Sequence, residues 1–262
     1  MIAALLLGRK GSIGFPGKNT FRVLGRPMAS YPMRAAHQAT LVDAGYLSTD
    51  DPELMALART EGFEVIERPP ELCTPAALGE DAFVHGYRAI RDQAAARGEE
   101  VELIALLFCN APTVLGETID AGIRVLRERP EVDSAVTVSR YNMWSPLRAR
   151  KVNPDGLLDP FVPFETFGDP RTLNCDRDSQ GDVWFADMGL SVVRPACLER
   201  MEDGLLPQKW MGRSICPLEQ WGGLDVDYRW QVPQVEHWLR EHGVRPPGES
   251  TEAPAAGREG SS

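Results

Sequence analysis

Two stretches of this chain carry residues whose types and spacing could do chemistry. The first is GRKGSIGFPGKN, residues 8–19. Glycines 8, 11, 14 and 17 let the backbone turn tightly and come close to a ligand. Arg9, Lys10 and Lys18 place positive charge among them, and Ser12 adds a hydroxyl donor. Cations and backbone amides together suit a polyphosphate, whose charge they offset through charge-assisted hydrogen bonds. The pattern is neither GxxxxGK[ST] nor a GxGxxG that opens a helix. Pro16 argues against helix inside the loop, so an extended segment wrapped around a nucleotide is expected. The bland alternative is a glycine-rich turn with solvated cations. The loop's place directly after the first strand, and its clustered cations, favour phosphate binding.

The second stretch is GGLDVDYRW, with Asp225 and Asp227 two residues apart. In extended backbone, alternate residues share a face. Two carboxylates on one face suit Mg²⁺, which takes oxygen ligands and keeps several waters while it bridges phosphates. Taken alone, the pair reads more readily as turn aspartates beside glycines. Other candidate groups are weaker. His37, His85, His237 and His242 fall on expected helices, and none reads as a general base. Cys73, Cys109, Cys175, Cys197 and Cys216 form no CxxC pair, so neither a zinc site nor a disulfide framework is indicated. Each reads as a small packed hydrophobe.

The elements that must position these stretches alternate between strand and helix. Strands are expected at 2–7, 45–50, 64–67, 101–108, 133–141 and 184–193. Helices are expected at 28–38, 51–62, 80–98, 117–129 and 232–243. This order implies βαβ units: a Rossmann-like α/β fold with a mainly parallel sheet and helices on both faces. Ligands of such sheets bind at the carboxyl ends of the strands, where residues 8–19 fall. Residues 142–183 break the pattern and are rich in Pro, Asp and Gly, as expected of an inserted arm, lid or dimerisation segment. One nucleotide-binding domain over 1–244 is expected, followed by a disordered Pro-, Gly-, Ser- and Glu-rich tail at 245–262.

Composition narrows the partners. The 262 residues carry a net charge of -10, a poor match to nucleic-acid phosphates. No apolar run approaches the length of a membrane span. MIAALLLGRK has no basic residue ahead of its short apolar stretch, so it reads as a buried strand rather than a signal peptide. A cytoplasmic protein is expected, with neither nucleic acid nor membrane as partner.

LLLGRKGSIGFPGKN resembles the N-terminal signature of the acylneuraminate cytidylyltransferases, the CMP-sialic acid synthetases, a pattern like (A/G)RxGSxGxxxKN. Further segments resemble that family in the same order: LSTDDPELMALARTEGFEVIERPPEL, ALLFCNAPTVLGETIDAGI, WFADMGLSVV and GGLDVD, the last similar to a DID metal motif. The resemblance spans roughly residues 2–240. It implies an enzyme that transfers CMP from CTP to an acidic acceptor, releasing pyrophosphate. It implies that Gly8, Arg9, Gly11, Ser12, Lys18 and Asn19 contact the nucleotide. Arg68 of RPPEL and the ALGED stretch, with Ala77 and Gly79, would then lie near the base. Gly79 stands where the family often has serine, so a contact there would come from backbone. Asp225 and Asp227 would hold Mg²⁺, and Arg9 and Lys18 would act in catalysis beside them.

The acceptor loop departs from the family. Its QPTSPLR becomes APTVLGE, which puts Ala111 where the glutamine would be and Glu117 where the arginine would be. Asn110 is the nearest amide, and Arg148 and Arg177 are the cations that could meet an acceptor carboxylate or phosphonate. Solvated surface charge is an equal reading of both arginines. The acceptor could be sialic acid, another nonulosonic acid, a 3-deoxy sugar acid or a phosphonate. The aromatic residues Trp144, Phe161, Phe164 and Phe167 would suit a homodimer interface. The competing readings are a sugar-1-phosphate nucleotidyltransferase using another base and a non-catalytic nucleotide-binding module. A Rossmann oxidoreductase is disfavoured by the lack of a GxGxxG opening a helix.

Overall fold

Six successive apolar residues at Ile2–Leu7 leave this strand, β1, no polar face, so both its sides must be covered. The computed structural model describes residues 1–176 and 181–248 and shows how. After β1 come a short hairpin of β2 (Arg22–Val23) and β3 (Arg26–Pro27), then α1 (Ser30–Gln38), β4 (Ala44–Thr49), α2 (Pro52–Thr60) and β5 (Glu64–Glu67). There follow α3 (Gly79–Ala96), β6 (Leu103–Phe108), α4 (Gly116–Glu128), β7 (Ser134–Arg140) and a second hairpin of β8 (Arg150–Val152) and β9 (Leu158–Pro160). The chain continues through β10 (Trp184–Val193), α5 (Pro195–Glu199), β11 (Ile215–Gln220) and α6 (Val232–Glu241).

Seven strands form one sheet in the order β11-β7-β10-β6-β1-β4-β5. The β1 strand pairs in parallel with β4 and β6, β4 with β5, and β11 with β7. Only β10 runs against its neighbours, antiparallel to both β6 and β7. The sheet is therefore mainly parallel, as expected. Its strand order reverses at β1, which lies between β4 and β6. That switch point opens a crevice at the carboxyl ends of β1 and β6.

Alternate side chains of β1 feed opposite faces. Ile2, Ala4 and Leu6 pack with α1, α2 and α4, through residues such as Met33, Leu54 and Ile119. Ala3, Leu5 and Leu7 pack with α3 and α5, through Phe83, Ile90 and Leu198. A third apolar cluster joins Phe15 of the Gly-rich loop, Val226, and Val235, Trp238 and Leu239 of α6. It ties both chemistry-bearing stretches to one helix. The α2 helix starts where Asp51 accepts from the Glu53 amide at 2.9 Å, with Pro52 in its first turn.

The Gly-rich loop differs from the extended segment expected of it. Its second half is wound into tight turns, with the Lys18 amide donating to Phe15 O and the Phe21 amide to Gly17 O. Burial of Phe15 draws the loop inward and leaves Ile13 exposed at its tip. Within residues 142–176 lie short turns and the β8–β9 hairpin, and Trp144, Val152, Leu157, Leu158 and Phe161 are exposed there. Of the tail expected to be disordered, residues 249–262 lie outside the described residues, as does Arg177. Among the described residues, no helix is long and apolar enough to cross a membrane.

Candidate active site

A cavity of about 370 Å³ opens at the switch point. Its lining includes Gly8, Arg9, Ser12, Lys18, Asn19, Arg68, Ala77, Gly79, Asn110 and Asp227. Residues far apart in sequence are thus brought to one place. Gly8 carries the chain out of β1. Its amide donates to Ser48 O at 3.2 Å, and a Cβ there would lie 2.7 Å from Cys109 Sγ. The loop then folds back on itself. Asn19 Nδ2 donates to Arg9 O at 3.3 Å, and the Lys10 amide donates to Asp50 Oδ1 at 2.8 Å. Asn19 Oδ1 is buried with no hydrogen-bond partner among the described residues, although Asn19 lines the cavity. A bound donor would satisfy it, since an unpaired buried acceptor is costly.

Arg68 forms part of the wall. Its Nη2 donates to Ser48 O at 2.8 Å and its Nε to Ser48 Oγ at 3.3 Å. Burial pushes its pKa below the ordinary arginine value. A fixed, buried fork of this kind suits oxygen acceptors on a ligand. Ala77, Leu78 and Gly79 bring the N-terminal end of α3 to the same cavity, and the first amides of a helix have no partner within the helix itself.

Residues 223–227 complete the site, held in place by a ladder of polar contacts. The Val226 amide donates to Asn110 O at 2.8 Å, and Asn110 Nδ2 donates to Val226 O at 3.1 Å. The Thr113 hydroxyl donates to Leu224 O at 3.2 Å and accepts from the Leu224 amide at 3.0 Å. The Ser139 hydroxyl accepts from the Gly223 amide at 2.9 Å and donates to Asp187 Oδ2 at 2.7 Å. Gln220 Nε2 donates to the same Asp187 oxygen at 2.8 Å. Asp187 reaches this position because β10 is irregular between Ala186 and Ser191, where Met188 adopts a φ of 63°. A bulge of that kind re-aims a side chain.

Val226 points into the core, and the two aspartates flank it. Asp227 is exposed, and its Oδ1 lies 2.6 Å from Lys18 Nζ. Asp225 is half-buried. Burial pushes its pKa above the ordinary carboxylate value, Asp227 pushes it further up, and Lys18 pulls it down. Two like charges, one of them desolvated, are relieved by a cation. Their donor chemistry therefore fits Mg²⁺. Among the described residues no cluster of three or more His, Cys, Asp or Glu forms a cage for a metal. Two carboxylates suffice for an ion that takes its remaining ligands from phosphates and water.

Not every expected residue reaches the cavity. Gly11 bends the loop with a φ of 81° and does not line it. Asp225 sits behind the wall, 3.5 Å from Asn110 Nδ2. Arg148 lies in the arm, beside a separate cleft, and donates from Nη2 to Cys175 O at 2.6 Å. Tyr228, Phe108, Leu72 and Ile13 line the cavity without having been singled out in the sequence. For Tyr228 the signal was at hand, since it directly follows Asp227. No local signal marked Asp187, Ser139 or Gln220, whose roles come from contacts across the sheet.

The architecture is that of the α/β nucleotidyltransferases. It is shared with the solved structure of CMP:2-keto-3-deoxy-manno-octonic acid synthetase complexed with CTP. The TM-score is 0.63 at 15% identity, covering 92% of this chain and 99% of that one. A family model described as Cytidylyltransferase matches residues 3–152, and the chain belongs to that family. The resemblance read from the loop motif is thereby borne out. Among similar proteins is the N-acylneuraminate cytidylyltransferase of Oncorhynchus mykiss, 25% identical over 89% of this chain and 49% of its own length. Another is the 3-deoxy-manno-octulosonate cytidylyltransferase of Anaeromyxobacter dehalogenans, 28% identical over 47% of this chain and 46% of its own length. The chain spans about half the length of these curated relatives or less.

Proposed function

We propose that this chain transfers CMP from CTP to a sugar acid of the nonulosonic or 3-deoxy class and releases pyrophosphate. One observation carries the reading: a single cavity gathers the loop residues Arg9, Lys18 and Asn19, the buried Arg68, and Asp227 with Asp225 behind it. In this reading an acceptor oxygen bonds to the α-phosphorus, the α–β phosphoanhydride bond breaks, and pyrophosphate leaves. Arg9 and Lys18 offset the charge that develops on the leaving group. Arg68 and the backbone around Gly79 position the base, and Asn19 Oδ1 accepts from a donor on the nucleoside. Asp225 and Asp227 would hold Mg²⁺, which when bound neutralises charge at the phosphates. No covalent intermediate on the enzyme is needed, because positioning and charge neutralisation can supply the rate enhancement.

The acceptor belongs to a broader class than sialic acid alone. Ala111 is fully buried and Glu117 is exposed at the start of α4. Neither offers the amide or guanidinium that those positions carry in the resembled motif. Asn110 has its amide on Val226 O, which makes it a holder of the Asp225–Asp227 segment as well as part of the wall. The exposed apolar side chains of the arm support a homodimer, with the arm as its contact. Light scattering tests this directly, and a monomeric mass would reject it.

The test of the activity is pyrophosphate release with each of the four nucleoside triphosphates and Mg²⁺, against sialic, legionaminic and 3-deoxy-octulosonic acids and simple phosphonates. Release with CTP and one sugar acid is expected. Release with a phosphonate alone would move the acceptor class. Release with none, together with no CTP binding, would sink the reading.

A further inference from the structure

A second cleft, of about 320 Å³, lies between α1, the loop 112–115 and the C-terminal end of α6. Arg26, Arg34 and Arg245 line it, with Gln38 beside them and no carboxylate among the lining residues. In a chain of net charge -10, three guanidinium groups thus line one cleft. The Tyr31 hydroxyl, pushed up to about 12 mainly by burial, feels Arg26 and Arg34 against that shift and Glu236 with it. Arg245 donates from Nη1 to Arg240 O and Val244 O. No ion pair within the described residues engages any of the three.

The cleft is separate from the nucleotide cavity but shares a wall with it. Asn110 and Thr113 of the 110–115 loop hold the Asp225–Asp227 segment. Pro112, Val114 and Leu115 of the same loop turn the other way and line the arginine cleft.

We propose that this cleft is a second anion site, binding a multiply charged phosphate group, as inorganic polyphosphate or as part of a phosphorylated small molecule. Arginine is suited to it, since its planar fork binds phosphate oxygens in pairs. The inference does not rest on the activity proposed above.

The test is a calorimetric titration at low ionic strength with pyrophosphate, orthophosphate and ribose 5-phosphate as probes. Pyrophosphate is expected to bind wild-type protein at two sites per chain, because the nucleotide cavity also carries cations. An Arg9→Ala/Lys18→Ala variant should keep one site. Adding Arg26→Ala and Arg34→Ala to that variant should weaken the remaining site at least tenfold, and Arg34→Glu alone should weaken it too. Tightest binding of pyrophosphate would identify a free polyphosphate, and tightest binding of ribose 5-phosphate a phosphorylated small molecule. The proposal is overturned if a folded Arg9→Ala/Lys18→Ala variant binds none of the probes. It is equally overturned if the remaining site ignores the Arg26 and Arg34 substitutions. Circular dichroism of each variant separates lost binding from lost fold.

Discussion

Gly14 is where the Gly-rich loop touches the aspartate segment. A Cβ there would lie 2.7 Å from the Asp227 carbonyl oxygen and 3.4 Å from the Tyr228 ring. Unstrained carbon–oxygen contacts begin at about 3.3 Å, so Gly14→Ala must part the two segments by roughly half an ångström. The obstacle is backbone, which cannot swing aside as a side chain can. Overpacking of this kind costs about 1–3 kcal/mol. The displacement falls between Gly14 and Asp227, whose side chain meets that of Lys18 at 2.6 Å. The free variant relieves the contact by parting the two segments, and CTP binding at a cavity lined by Lys18 and Asp227 must bring them back together, so the Kd for CTP rises roughly 5- to 150-fold. Gly14 does not have a positive φ, so alanine brings no backbone strain of its own. Calorimetric titration of CTP with Mg²⁺ measures the effect, and a thermal melt shows that the fold survives. A Gly14→Ala protein that binds CTP as tightly as wild type would refute the claim that loop and aspartate segment close on one ligand.

Other expectations follow from the same geometry. Asp227→Asn removes one exposed ion pair, contributing about 0–1 kcal/mol, and should leave the melting temperature nearly unchanged while abolishing the Mg²⁺ dependence of pyrophosphate release. Because Asp225 has a raised pKa, ionising it costs the fold stability as pH rises through its titration, whereas metal binding needs the ionised form. Mg²⁺ affinity should therefore fall as pH is lowered through that range. Lys18→Met should shift the loss to higher pH by removing a cation that lowers this pKa. Asp225→Asn should flatten the pH dependence of thermal stability over the same interval, and an unchanged profile would count against the raised pKa. Asn110→Ala leaves the buried Val226 carbonyl without its donor, a loss of about 1–3 kcal/mol in chemical denaturation. It should also weaken Mg²⁺ binding, because the Asp225–Asp227 segment loses its clamp.

Much of this arrangement could be read from local pattern. LIALLF is apolar at every position, which marks a strand covered on both faces, and β6 is that strand. The Gly-rich loop declared itself by its cations and by its place after β1. The hidden parts depended on distant contacts. β11 was missed because ICPLEQ contains Pro217 and alternates between exposed and half-buried residues, as an edge strand paired on one side can. The reversed direction of β10 left no trace, since a buried strand reads alike in either sense. Nor did the inward turn of Asp187, which depends on a bulge and on partners 33 and 48 residues away. The turns in the Gly-rich loop arise from burial of Phe15 against α6, a contact between opposite ends of the chain.

CTP is expected to bind in the cavity between the Gly-rich loop and the Asp225–Asp227 segment. The most direct test is calorimetric titration of wild-type protein with CTP, UTP, GTP and ATP in the presence of Mg²⁺, repeated with Arg68→Met. One CTP bound per chain is predicted, in preference to the other three, with that preference lost when Arg68 is replaced. Absence of CTP binding, or the same preference for CTP without Arg68, would contradict it.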